Sequence, residues 1–178
     1  MRNNLSQMIS LSKIEEKLYR PMDAYELSRV TRMEHVKTTI VETPQEGIKA
    51  VATRIAQLIN RREANGQKTV LSLASGRSMR DLFVELVRLH KEEGLSFKNV
   101  VVFGSYEFYP LSDTTSGSMA QIQSQLLEHV DILPENVHTF PGDLPKEDVF
   151  AFCEEYEKAI VEAGGIDVQV LGIGQCGN

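Results

Sequence analysis

The sequence predicts an α/β domain in three layers, a parallel sheet with helices on both faces, and three observations predict it. Apolar, β-branched runs alternate with segments whose apolar residues recur at helical spacing, from about residue 36 to the end of the chain. One run, Val100-Val101-Val102-Phe103, is apolar at every position, as a central strand covered on both faces must be. Ser/Gly or Gly-rich turns follow two of the strands, and strand–helix–strand order implies right-handed crossovers between parallel strands.

Element by element, residues 1–35 read as a polar, irregular arm. A short helix there is capped by Ser12 and Glu15 and stopped near Pro21, and another covers residues 24–31. The α/β domain is expected over residues 36–178. It begins with a β-branched strand at 36–41; Pro44 then opens a helix that sets Ile48, Val51, Ile55, Leu58 and Ile59 on one face, and Asn65-Gly66 ends it. A strand at 69–73 leads through Ser75-Gly76-Arg77-Ser78 into a helix whose apolar residues Leu82, Phe83, Leu86, Val87 and Leu89 run up to Gly94.

After the strand at 100–103 and an aromatic loop, a helix is expected over 118–129, with Met119, Ile122 and Leu126 inward. A short strand at 137–140 precedes Pro141-Gly142, and a helix over 146–163 presents Val149, Cys153, Tyr156 and Ile160. The last strand, 166–171, runs into the Gly-rich segment 172–178. Such a turn normally feeds a helix that covers the sheet, so residues 1–178 are expected to be part of a longer protein or to need a partner on that face.

Composition bounds the function. The chain has 178 residues, 42% hydrophobic and 25% charged, which suits one globular domain with a substantial core. A net charge of −6 with scattered Lys and Arg argues against a nucleic-acid or anionic-membrane surface, yet is compatible with a local pocket for one phosphate. No apolar run approaches the ~20 residues that span a bilayer, and the first residues lack the apolar core of a secretory signal, so a cytoplasmic location is expected. Cys153 and Cys176 make neither a disulfide framework nor a metal cluster; no metal is expected, and Cys153 reads as a buried or incidental thiol.

The segment around Ser75-Gly76-Arg77-Ser78 carries the chemistry. Backbone N–H groups at a helix N-terminus have no intrahelical acceptor and hold partial positive charge, so they can cradle a phosphate where glycine lets the backbone approach. Ser75 and Ser78 add hydroxyls and Arg77 a charged donor. Neither G-x-G-x-x-G nor G-x-x-x-x-G-K-[ST] is present, so a small phosphorylated ligand fits better than a nucleotide. An ordinary βα turn uses the same residue types. Ligands of parallel sheets bind beyond the carboxyl ends of the strands, where the 75–78, 104–109 and 172–178 loops are expected to converge.

These loops, in this order, resemble the glucosamine-6-phosphate deaminase family, whose Rossmann-like fold the 6-phosphogluconolactonases share. The likeness covers roughly residues 36–178. It includes the segment from Leu86 to Val101, His129-Val130-Asp131-Ile132, Pro134-Glu135-Asn136-Val137, and Gly164-Gly165-Ile166-Asp167 leading to Gly172-Ile173-Gly174. The arm is similar to the extension of longer bacterial members, some of which carry a second, hydrolase-like domain.

The resemblance implies site residues. The family's T-G-x-T-P phosphate loop corresponds to Ser75-Gly76-Arg77-Ser78-Met79, which makes Ser75, Gly76, Arg77 and Ser78 the phosphate-binding candidates. The pattern F-N-x-D-E-[YF] corresponds to Phe103-Gly104-Ser105-Tyr106-Glu107-Phe108, so Tyr106 stands at the proton-transferring Asp, with Glu107 beside it. A phenol of pKa ~10 is a proton donor and a poor base near neutrality. The pattern G-[IV]-G-x-D-G-H puts Cys176 at an Asp and Asn178 at the His that assists ring opening. Asn hydrogen-bonds a sugar oxygen but cannot exchange protons near pH 7.

The activity implied is opening of an aminosugar-phosphate ring, aldose–ketose isomerisation by a proton shift from C2 to C1, and hydrolytic release of ammonia, with no metal or organic cofactor. The alternative is a catalytically degenerate sugar-phosphate-binding or regulatory domain. The expected partner is a small sugar phosphate, with a homo-oligomer or an additional C-terminal domain as further arrangements.

Overall fold

The computed structural model describes residues 38–173. The chain divides into two compact units, Met1–Thr43 and Pro44–Asn178, and the fold below is that of the second. The predicted helices of the arm lie outside the described residues.

Helix α1 (Pro44–Ala64) starts on a proline, whose fixed φ suits a first turn, and buries Ala52, Ile55 and Ile59 on one stripe. Strand β1 (Thr69–Leu73) is buried at all five positions. Helix α2 (Arg77–Glu93) turns Met79, Leu82, Phe83, Leu86 and Leu89 inward and ends where Gly94 takes the left-handed conformation. Strand β2 (Val100–Gly104) is again fully buried. Helix α3 (Ser118–Gln125), strand β3 (Val137–His138), helix α4 (Val149–Glu162) and strand β4 (Val168–Val170) complete the described elements.

The strands form one sheet in the order β3-β2-β1-β4, parallel throughout. Val70 pairs with Val101 and Leu73 with Gly104, while Leu73 also pairs with Val170. Alternate residues serve opposite faces. Leu71, Leu73, Val100 and Val102 pack with α1, α2 and α3, whereas Val70, Val101 and Phe103 pack with Tyr156 of α4 and its half-buried neighbours Phe140, Phe152 and Ile160. This is the three-layer parallel architecture that strand–helix alternation predicts.

Several predicted elements are corrected. Residues 38–41 of the predicted first strand carry no strand, and Ile40 and Val41 are exposed: β-branching marks a propensity that tertiary context overrides. The 118–129 helix stops at Gln125, because Leu126 leaves helical geometry (φ −131°, ψ −61°) and a 3₁₀ turn, Leu127–His129, follows with Leu126 and Leu127 both buried. Strand β4 is shorter than predicted. Asp167, just before it, instead exchanges bonds with Val70, its carboxylate accepting the Val70 N–H at 2.8 Å and its own N–H donating to the Val70 carbonyl at 2.9 Å. An ion pair from Arg62 at 3.0 Å holds the same carboxylate.

Cys153 is exposed rather than buried. The inward stripe of α4 runs through Phe152, Tyr156, Ala159 and Ile160, which sets Cys153 one position off it.

Candidate functional site

Parallel pairing brings the carboxyl ends of β1, β2 and β4 to one edge of the sheet. The chain leaving β2 stays beside the end of β1, because the Ser105 N–H donates to the Leu73 carbonyl at 2.9 Å and the Ser72 and Ser105 hydroxyls lie 2.9 Å apart. All three predicted loops therefore start from one place.

The first loop is an open helix N-terminus. Gly76 caps α2 with φ 126° and ψ 175°, a conformation that L side chains rarely adopt. Its carbonyl accepts the N–H groups of Met79 at 3.1 Å and Arg80 at 3.2 Å, and no side chain caps the helix. Gly76, Arg77 and Ser78 are exposed, Ser75 is half-buried, and Met79 is turned into the core. The structure thus leaves the front of the cradle open to solvent and anchors its back through Met79.

The second loop folds onto the first. The Tyr106 phenol lies 2.9 Å from Ser75 Oγ, and its oxygen is 3.5 Å from the Ser75 carbonyl. When the phenol donates, the Ser75 hydroxyl proton is left for an incoming acceptor. Phe108 packs edge-on against Tyr106 with ring centroids 5.7 Å apart, and the Tyr109 hydroxyl donates to the Leu144 carbonyl at 3.0 Å.

Glu107 points elsewhere. Its carboxylate accepts the N–H groups of Ser118 at 2.7 Å, Met119 at 2.9 Å and its neighbour Phe108 at 2.9 Å, so it caps α3 with charge-assisted bonds at the positive end of that helix. The carboxylate also lies against Gly117, where a Cβ would come within 2.7 Å of Oε2. A Glu eleven residues ahead of a helix is not a recognisable capping box, so the sequence held no signal for this role.

The third loop is described as far as Ile173. Gly172 approaches the first loop so closely that a Cβ on it would lie 2.9 Å from Ser78 Oγ. Cys176 and Asn178 lie outside the described residues. Of the sequence-predicted site residues, Ser75, Ser78 and Tyr106 are brought together by these loops, Gly76 and Arg77 form the exposed front, and Glu107 is committed to α3.

Behind the second loop, Tyr156 is buried and donates to the Gly104 carbonyl at 2.9 Å, which fixes the last residue of β2. Burial pushes its phenol well up, against the smaller opposing effect of the Gly104 bond, so it stays a neutral donor. His138 stacks on Phe103 at 4.3 Å between ring centroids, and burial, with the Lys68 charge adding to it, lowers its pKa. Among the described residues no group of three or more His, Cys, Asp or Glu is placed to hold a metal ion, and no helix is long and apolar enough to cross a membrane. His90 and His129 meet backbone carbonyls instead, those of Leu95 at 2.6 Å and Ser124 at 3.0 Å.

Comparison with known proteins shows the family and the fold. Residues 42–177 match the family model described as glucosamine-6-phosphate isomerases/6-phosphogluconolactonase. The chain is 43% identical over 179 residues to a glucosamine-6-phosphate deaminase-like protein of Bacteroides thetaiotaomicron, an alignment that takes in 100% of this chain and 27% of that protein. It is 39% identical to a glucosamine-6-phosphate deaminase of Porphyromonas gingivalis over 61% of this chain and 41% of the other. The chain therefore spans less than half the length of either relative. Among solved structures, a monomeric glucosamine-6-phosphate deaminase superposes with a TM-score of 0.71 at 28% identity, over 80% of this chain and 57% of that one. The 6-phosphogluconolactonase of Thermotoga maritima, at a TM-score of 0.62 and 24% identity over 76% and 59%, shares the fold. A family model matched over most of the chain and a relative 43% identical over all of it agree: the chain belongs to the glucosamine-6-phosphate isomerase/6-phosphogluconolactonase family.

Proposed function

We propose that this domain binds an aminosugar phosphate, with the phosphate against the 75–78 turn, and that it does so without the turnover of its enzymatic relatives. The observation that carries the reading is the Tyr106 phenol on Ser75 Oγ, 2.9 Å away. At the position where the resemblance sets a proton-transferring Asp, this chain presents a hydroxyl that supports the phosphate turn. A proton shift between sugar carbons needs a general base, and a phenol hydroxyl engaged with a neighbouring hydroxyl is not one. Glu107, the adjacent carboxylate, already accepts three backbone N–H groups. Cys176 and Asn178 extend the same pattern on the third loop, since neither residue type replaces a carboxylate–imidazole pair there.

The second reading is a deaminase/isomerase with altered residues, which would open the ring, move the proton from C2 to C1 and hydrolyse the resulting imine to release ammonia. The enzymatic character of the related proteins favours it. In either case the ligand is a charged metabolite that does not cross a bilayer, which supports a cytoplasmic location.

One paired experiment tests both. Titration with glucosamine 6-phosphate and with glucosamine, alongside an ammonia assay, is expected to show saturable binding of the phosphate ester, none of the free sugar, and no ammonia. Ammonia release would establish the second reading. Absence of binding by either sugar would overturn the phosphate site itself.

A further inference from the structure

A separate cavity lies under the aromatic loop. It has a volume of about 230 Å³, and its walls include Tyr106, Phe108, Tyr109, Phe140, Phe152 and Cys153, so most of its lining is ring and hydrocarbon. The polar groups at its edge are already engaged. Glu107 accepts three backbone N–H groups, the Tyr109 hydroxyl donates to the Leu144 carbonyl, and the Tyr106 hydroxyl bonds Ser75. An anion entering here would meet the Glu107 charge and find no cationic side chain in the lining. A sugar would find few free partners for its hydroxyls, each of which costs free energy when stripped of water unpaired.

We propose that this cavity is a binding site for a small, uncharged aromatic ring, distinct from the phosphate turn and sharing only Tyr106 with it. Size supports this: a dry apolar cavity of roughly 150 Å³ accepts benzene, while drug-sized ligands occupy about 300 Å³ or more. One ring, or two fused rings, fits between those limits. Offset or edge-on contacts are available from the surrounding rings, since Phe140 already packs against Phe152 at 6.0 Å and Phe108 against Tyr106 at 5.7 Å. The exposed Cys153 thiol on the cavity wall is a reporter of occupancy.

The test follows that thiol in the full-length protein, using indole as the probe and benzoate as its charged counterpart. Alkylation of Cys153 by N-ethylmaleimide, read by peptide mass mapping, is expected to slow about fivefold at an indole concentration about four times its Kd. Benzoate at the same concentration is expected to leave the rate unchanged. Leu144→Trp, which fills the space with its own ring, is expected to abolish the indole effect, and Val149→Trp is a second filling variant should the first fail to fold. An indole-independent labelling rate in the unsubstituted protein, equal protection by benzoate, or protection that survives a folded filling variant would each overturn the proposal. No sugar phosphate enters this measurement, so its outcome is independent of the phosphate site.

Discussion

The Tyr106 phenolic oxygen lies 2.9 Å from Ser75 Oγ, so the loop that leaves β2 is bonded to the turn that precedes α2. Such a pair orients a donor towards a ligand while contributing little to folding, because Tyr106 is 40% exposed. Tyr106→Phe removes the bond and keeps the ring. Its affinity for glucosamine 6-phosphate by calorimetry is expected to fall about fivefold, the equivalent of ~1 kcal/mol for one hydrogen bond. Thermal stability should stay within ~0.5 kcal/mol of the parent. Unchanged affinity would remove Tyr106 from the binding site.

Gly172 offers an independent probe of the same turn. A methyl group there would sit 2.9 Å from Ser78 Oγ, closer than such atoms pack, and Ser78 must rotate away. Gly172→Ala is therefore expected to weaken sugar-phosphate binding about fivefold through loss of one hydroxyl contact. Since Ser78 is exposed, the melting temperature is expected to change little. A large drop in stability with intact binding would mean that Gly172 serves the fold and not the site.

Glu107 is expected to behave as a helix cap. Glu107→Ala strands the Ser118 and Met119 N–H groups at the start of α3 and should cost about 1–2 kcal/mol, read as a lower denaturation midpoint. Glu107→Gln retains a neutral acceptor oxygen and should recover part of that loss. If Glu107→Gln were as stable as the parent but abolished a measurable ammonia release, the carboxylate would be a catalytic base instead.

His138 predicts a pH dependence. Burial and the Lys68 charge depress its folded-state pKa below the unfolded value of ~6.5, so between the two the unfolded chain binds more protons. Stability from the neutral ring is complete above the unfolded pKa and is lost as pH falls through the depressed one. Urea denaturation from pH 7.5 downwards should show stability declining below about pH 6.5. His138→Gln should flatten that decline, whatever it does to the absolute value through loss of the stack on Phe103. An identical slope in the variant would refute the assignment.

Local patterns made much of this protein legible from its sequence. The all-apolar run at Val100–Phe103 announced a central strand, Pro44 and Gly94 marked a helix start and a helix end, and the Ser/Gly turn before α2 announced a cradle, because each depends on residues close together in the chain. Short, weakly patterned pieces were not legible in the same way. The β-branched residues at 38–41 carry no strand, and Cys153 lies off the stripe that packs against the sheet.

By itself, then, the sequence determined the strand–helix alternation, the place of the Ser/Gly turn ahead of α2 and the aromatic loop after β2. Only the tertiary structure decided what those residues touch. That Tyr106 meets Ser75 and that Gly172 closes on Ser78 depend on the order β3-β2-β1-β4, which lays loops some thirty to ninety residues apart at one edge of the sheet, while Glu107 reaches α3 across an eleven-residue loop whose path only the fold decides. Spacing along a chain encodes contacts one helical turn or one strand pleat away, whereas contacts across a parallel sheet are set by crossovers and register, which no local pattern records.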